Sequence, residues 1–268
     1  LPPVVAVMVA HEPGDWFTES LRGLSQQTYE SLQALVLVTG EESDPSARAI
    51  LDTIATELPA AVVRFLGGNP GFAASCNSVL NLVQGDSGFF CFMHDDVALA
   101  PDAISLLVEE LYRSNAGMVG PKFVEWEETR RLQTVGFDCD WFGELDSDVE
   151  PHELDQEQHD AVRDVFVLPS ACFLIRADLF RELGGFEPAI EFLGEDLDLC
   201  WRAHMSGARV VVVPGATARH QGTIVERLAT RGRDSAAIAR QAERHRISTV
   251  ASLTGARRLP VVLPLLVL

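Results

Sequence analysis

An α/β architecture built on a mostly parallel sheet flanked by helices is what this sequence predicts, and three observations carry that prediction. Short apolar runs rich in β-branched or aromatic residues, at residues 4–10, 35–38, 61–66 and 89–93, read as buried strands. Segments of helical periodicity separate them, and short turns join the two kinds, which is the pattern of parallel βαβ units. Hydrophobic residues make up 47% and charged residues 22% of the 268 positions, so the chain can bury one large core with room for an insertion.

Taken in order, Val4–Ala10 reads as a central strand. His11-Glu12-Pro13-Gly14 turns the chain, and Asp15 is placed to cap a helix with Phe17, Leu21 and Leu24 inward. After the strand at 35–38, residues 46–58 carry Ala47, Ile50, Leu51, Ile54 and Leu58 at helical spacing, and the strand at 61–66 follows. Gly67-Gly68-Asn69-Pro70-Gly71-Phe72 then leads into a helix bearing Asn77, Leu80 and Val83. The run at 89–93 stops on His94-Asp95-Asp96, and Pro101-Asp102 open a helix with Ile104, Leu107, Val108 and Leu111 on one face. From 122 to 164 the periodicity fades and acids accumulate, as expected of a solvated loop insertion. Its Trp126, Trp141 and Phe142 either stack on a ligand or pin the loop to the body. Order returns at 165–175, an apolar strand interrupted by Pro169-Ser170-Ala171, then a short helix at 177–183 closed by Gly184-Gly185. Glu195-Asp196 start a helix in which Leu197, Cys200, Trp201 and His204 share a face, ending at Gly207. A strand at 209–213 and a segment at 214–222 carrying His220 precede a helix over much of 235–253.

The formal net charge of −18 argues against a nucleic-acid partner, which calls for a basic face. Charge is divided unevenly: residues from Thr223 onward are net +5, and those before it −23. The five cysteines form no C-x-x-C pair and mostly fall in apolar runs, as small core residues in a reducing compartment do. Residues 4–10 already read as a strand, so the expectation is that no signal peptide is present. Residues 259–268 are almost wholly apolar, half the length of a membrane span, and follow arginines. The expectation is the start of a membrane segment, with this domain at the cytoplasmic face of the cell membrane; the alternative is a last buried strand or helix.

Three clusters bear the chemistry: His94-Asp95-Asp96, Glu195-Asp196 and His220, each at a strand end or helix start. Carboxyl ends of strands in open α/β sheets are where ligands bind. Adjacent carboxylates repel unless a cation sits between them. Carboxylates and an imidazole around one ion suit Mn²⁺ or Mg²⁺, with histidine favouring the softer Mn²⁺. At a helix N-terminus Glu195 and Asp196 are expected to stay ionised, and either carboxylate is then a general base for a hydroxyl. Asp198 reads as a first-turn acid of the helix, Trp201 as core and Arg202 as an ion-pair partner. The 67–72 loop offers backbone amides, Gly71 among them, to phosphate or ribose oxygens, without the spacing of a nucleotide-binding fingerprint.

In this order the parts resemble the family 2 glycosyltransferases of GT-A fold, inverting enzymes that use nucleotide-sugar donors. The resemblance rests on residues 5–13, on Gly68-Asn69-Pro70-Gly71-Phe72-Ala73 through Asn77, and on His94-Asp95-Asp96-Val97 with Pro101. It continues through 167–176, Gly184-Gly185-Phe186 and Gly194-Glu195-Asp196-Leu197-Asp198-Leu199-Cys200-Trp201-Arg202, to Pro214 and His220. It implies a GT-A domain over 1–222, with a nucleotide-binding half at 1–121 and an acceptor and catalytic half at 122–222, then a basic helical tail at 223–268. It implies metal ligation by Asp96, with His94 in place of the family's first aspartate and His220 as a further ligand. It puts the catalytic base in the Glu195-Asp196 pair, and the donor against Ala10, His11, Glu12, Gly71, Asn77 and Asp95. Thr39 stands where relatives carry an aspartate for the base. The Asn69–Ala73 run is most similar to rhamnosyl- and galactofuranosyl-transferases of cell-envelope polysaccharide synthesis, which implies a UDP-, dTDP- or GDP-linked donor and a glycan or polyprenyl-linked acceptor. A reading of a different class is a non-catalytic nucleotide- or glycan-binding scaffold of a membrane protein, motivated by Thr39 and His94.

Overall fold

The computed structural model describes residues 1–190, 192–223, 227 and 234–254. The first half alternates as its periodicity requires: β1 (Val4–Ala10), α1 (Phe17–Ser25), β2 (Leu32–Val38), α2 (Ala47–Glu57), β3 (Val62–Phe65), α3 (Phe72–Asn77), α4 (Val79–Leu82) and β4 (Phe89–His94). Then come β5 (Val97–Leu99), α5 (Ala103–Arg113), β6 (Met118–Glu125), β7 (Leu132–Thr134), β8 (Asp138–Cys139), β9 (Leu145–Asp146) and β10 (Arg163–Asp164). The chain continues through β11 (Cys172–Arg176), α6 (Ala177–Glu182), α7 (Glu195–Met205), β12 (Val210–His220) and α8 (Ser235–Leu253).

Among the described residues the main sheet runs β10-β12-β6-β11-β4-β1-β2-β3. Strands β3, β2, β1 and β4 are parallel; β11 lies antiparallel between β4 and β6, and β12 returns parallel to β6. Both faces are covered, so side chains alternate between two cores. Val4, Ala6, Met8 and Ala10 meet Phe17, Leu21, Ile54, Ile104 and Leu107 on one side, while Val7 and Val9 meet Cys76, Phe180, Leu197 and Cys200 on the other. Phe90, Phe92, Phe173, Phe180 and Phe186 form a ring cluster beneath the second face. Each such side chain contributes about 1.5–3 kcal/mol by leaving water.

Several expected elements take a different form. Asp15 does not cap α1, which starts after Trp16 with no side-chain cap. The helix expected through Val83 is broken into α3 and α4. The acidic stretch from 122 is not simply a loop: it opens inside β6, and Lys122 is buried there, paired with Asp155 and Asp160 at 2.7 Å. One buried cation gathers two distant acids, so the insertion is stitched to the sheet although its sequence reads as solvated. Trp126 packs under Arg219, with 4.8 Å from guanidinium to ring, while Trp141 is largely exposed. The apolar run at 165–175 is strand only from Cys172. The strand expected at 209–213 and the segment at 214–222 join in one long strand, Val210–His220, with an irregularity between Val213 and Thr217, where Pro214 and Gly215 interrupt the ladder. All five cysteines are free thiols. Residues 259–268 lie outside the described residues; among those described, no helix is long and apolar enough to cross a membrane.

Candidate active site

The carboxyl ends of β1, β2 and β4 point the same way, and the turn from β4 to β5 carries His94-Asp95-Asp96 into the space beyond them. The far end of β12 reaches this place by pairing antiparallel with β5, opposite residues being His220 and Val97. Gln221 donates its amide to the Asp96 carbonyl at 3.0 Å, which fixes the approach. His94, Asp96 and His220 therefore each offer a ligand atom within 4.8 Å of the others.

Asp96 is 3% exposed, and its two oxygens live differently. Oδ2 accepts from the Thr223 amide at 2.9 Å and hydroxyl at 2.7 Å. Oδ1 is buried with no hydrogen-bond partner and faces His94 Nδ1 at 3.8 Å and His220 Nε2 at 3.6 Å. An orphaned buried carboxylate oxygen costs about 1–3 kcal/mol or more. A cation accounts for it: with bonds of about 2.1 Å, neighbouring ligand atoms lie roughly 3–4 Å apart. His220 Nδ1 lies 2.8 Å from Gln133 Oε1, which can only accept, so that nitrogen carries the proton and Nε2 keeps its lone pair toward Asp96. Burial pushes the Asp96 carboxyl up, but the attraction of the His220 and His94 rings when they carry a proton, in acid, together with the Thr223 hydroxyl, outweighs it and holds it well below the usual carboxylate range. Burial drives His94 down to about 4, with Asp96 pulling the other way, so the ring is neutral and able to ligate. The residues present fit a divalent cation.

Asp95 has another role. It is 1% exposed; its Oδ2 accepts the His11 amide at 2.8 Å and its Oδ1 takes an Arg227 nitrogen at 2.5 Å. Burial raises its carboxyl against the pull of Arg227. Arg227 also donates to the His11 carbonyl at 3.0 Å and lies over the Trp16 ring at 4.8 Å. Ala10, the last residue of β1, accepts the Thr39 amide at 3.0 Å. The His11 ring sits between Thr39 Oγ1, 2.5 Å from Nδ1, and Asn69 Nδ2, 3.2 Å from Nε2. Glu12 adopts φ 46° in the turn that follows. Gly71, at φ 89°, turns its amide back to Asn69 Oδ1 at 3.1 Å, so this amide is engaged within the loop. The Asn77 side chain is used at both ends by the Phe186 backbone, at 2.8 and 2.9 Å, and fixes the chain after Gly184-Gly185.

The carboxylate pair comes from the start of α7, and Ser170 holds both members. Its hydroxyl donates to Glu195 Oε1 at 2.8 Å and its amide lies 3.4 Å from Asp196 Oδ2. Asp196 Oδ1 accepts the Leu197 amide at 2.8 Å. Glu195 Oε2 is buried with no hydrogen-bond partner. Here the expectation of an ionised glutamate needs correction: burial and the neighbouring Asp196 push the Glu195 carboxyl up to about 7, and burial raises Asp196 also. Desolvation at this depth outweighs the helix dipole. Asp198 lies in the first turn and pairs with Arg202 at 2.8 Å, while Arg202 also donates to the Leu183 and Gly185 carbonyls. Trp201 meets Phe166 edge to face.

The two groups share one cavity of about 590 Å³, lined by His94, His220, Ser170, Glu195, Asp196 and Arg246, among others. Ser170, Thr223, Arg227 and Gln133 are absent from the sequence-derived set. Only Ser170 carried a local signal, as a polar residue in the Pro169–Ala171 break of an apolar run.

Comparison with known proteins agrees with this fold. Residues 2–247 match the model of the family described as glycosyltransferase like family 2. A pre-mycofactocin glycosyltransferase of Mycobacterium tuberculosis is 29% identical over 154 residues, which are 56% of this chain and 30% of that protein. The chain thus spans under a third of that relative's length. In fold it is similar to the crystal structure of GalNAc-T7 with UDP, GalNAc and Mn²⁺, at a TM-score of 0.66 and 12% identity over 82% of this chain and 43% of that one. Similarity to S. aureus TarS gives a TM-score of 0.57 and 14% identity, over 81% and 36% of the two chains.

Proposed function

Because this chain belongs to the family described as glycosyltransferase like family 2, we propose that it transfers a sugar, with inversion, from a nucleoside-diphosphate donor to an acceptor hydroxyl. The observation that carries this reading is one cavity lined both by the Glu195-Asp196 pair and by His94 and His220, the two histidines grouped with the buried Asp96. His94, Asp96 and His220 would hold Mn²⁺ or Mg²⁺, which when bound supplies positive charge to a departing diphosphate. The chain's own groups do the rest. Asp95 fixes the His11 amide and Arg227, and so the end of β1 beside the donor. The pair at Glu195-Asp196, steadied by Ser170, accepts the proton of the attacking hydroxyl. A base on the acceptor side of a donor held by its diphosphate favours one in-line displacement, hence inversion. The acceptor class is a glycan or lipid-linked glycan of the cell envelope, reached at the cytoplasmic face; similarity of the Asn69–Ala73 run supports that choice.

The test is incubation with UDP-, dTDP- and GDP-sugars and Mn²⁺, offering a glycan, a polyprenyl-linked glycan and pre-mycofactocin, with products read by mass and anomeric configuration by NMR. One donor yielding an inverted product, abolished by EDTA, is expected. Turnover undiminished by EDTA would overturn the cation's role, and a retained anomer would overturn the single displacement.

A further inference from the structure

Helix α8 follows the basic segment and forms a wall of the cavity. Ala239, Ala242, Glu243 and Arg246 follow one another at helical spacing along that wall. The inner face buries Ile238, His245, Thr249 and Val250. Contact with the β8–β9 hairpin is close: a Cβ on Gly143 would lie 2.7 Å from Val250 Cγ2, and Arg246 donates to the Phe142 carbonyl.

His245 and Thr249 are the buried polar residues of that face, and the partners of His245 are main-chain. Its Nδ1 lies 3.0 Å from the Phe192 carbonyl and 2.8 Å from the Leu193 carbonyl. Carbonyls only accept, so Nδ1 carries the proton and donates to both. What it holds is the turn that delivers Glu195. Leu193 has φ 60°, a left-handed value uncommon for a branched residue, and Gly194 follows at φ 112°. A Cβ on Gly194 would approach His245 Cβ to 3.1 Å, so the turn lies tight against the base of the His245 side chain. The next residue is Glu195, toward whose carboxyl the Leu193 amide is directed. A left-handed pair of this kind persists only when its surroundings hold it.

We propose that His245 is a positioning residue for the carboxylate pair, holding Glu195 and Asp196 in place through the carbonyls of Phe192 and Leu193. The inference rests on the assignment of the base to that pair. Freed from His245, the turn relaxes and admits water to Glu195. The groups facing Glu195 are Asp196 beside it, the Ser170 hydroxyl, the Leu193 amide and the Cys76 thiol from α3. Because burial is the largest influence on Glu195, its midpoint then falls from about 7 toward the ordinary 4.5.

The experiment compares the full chain with His245→Ala and His245→Asn, the asparagine amide being able to replace the Nδ1 donor. Isotope-edited infrared spectroscopy reads the Glu195 carboxyl midpoint, with Glu195→Gln to assign the band, and the pH profile of kcat is measured alongside. In His245→Ala the midpoint and the acid limb of the profile move down together, and kcat falls about tenfold to a hundredfold, as misplaced catalytic groups do. Nucleoside-diphosphate affinity with Mn²⁺ is unchanged, and His245→Asn restores midpoint and rate. An unmoved midpoint in folded His245→Ala, or no rescue by His245→Asn in a folded variant, overturns the inference. If the unaltered chain transfers no sugar, the functional reading fails while the infrared midpoint still decides the role of His245.

Discussion

At the scale of single residues, burial sets the chemistry. Glu195 is 3% exposed and titrates at about 7 instead of the ordinary 4.5, because water is excluded and Asp196 lies alongside. The folded protein therefore binds this proton more tightly than the unfolded chain. Stability falls as pH rises from 4.5 to 7, and the full cost is present above 7. At about 1.36 kcal/mol per pKa unit the cost has an upper bound of roughly 3 kcal/mol. Glu195→Gln is expected to lose transfer, yet to gain up to about that much stability at pH 8 and almost none at pH 4.5, as read by urea denaturation. Transfer by the unaltered chain is expected to rise with pH through about 7 as the base deprotonates. Asp96→Ala is expected to lose Mn²⁺ binding while still melting cooperatively; unchanged binding in calorimetry would remove Asp96 from the ligand set. His94, Asp96 and His220 were legible because polar residues ending an apolar strand stand out. Ser170, Thr223 and Arg227 were not, since their bonds to Glu195, Asp96 and Asp95 span 25, 127 and 132 residues.

At the scale of elements, periodicity located most of the strands and helices but not their partners. The parallel quartet β3-β2-β1-β4 followed from alternating short units. The insertion of β11 between β4 and β6, and the return of β12 beside β6, depend on long-range pairing that no window of sequence contains. Acids that follow β6 masked its end in the sequence, although its Lys122 is paired inside the protein. Lys122→Met is expected to release the insertion, because Asp155 and Asp160 lose their shared cation while the sheet keeps an apolar side chain. Limited proteolysis checks this: cleavage between 147 and 162 should accelerate by about tenfold or more, with the rest of the chain still protected. Equal cleavage rates would mean that the insertion is held by other contacts. Phe92→Ala is expected to cost about 3–5 kcal/mol, since its ring meets Phe173, Phe180 and Phe186 with no room for solvent to compensate.

At the scale of the molecule, two surfaces of opposite character meet in one cavity. The strand ends bring the cation ligands, and the start of α7 brings the carboxylates against Ser170. The basic segment after His220 looks separate by charge, yet Thr223 bonds Asp96 and Arg227 bonds Asp95. Binding of a nucleotide at a hundredfold its dissociation constant stabilises a fold by about 2.7 kcal/mol, so ligation should be visible in melting as well as in heat. The most direct measurement is calorimetry of UDP, dTDP and GDP, each with Mn²⁺ and with EDTA, on the unaltered chain and on Asp96→Ala. One nucleotide binding only with Mn²⁺, and not to Asp96→Ala, is the expected result. Binding that is indifferent to both the ion and Asp96 would contradict the account.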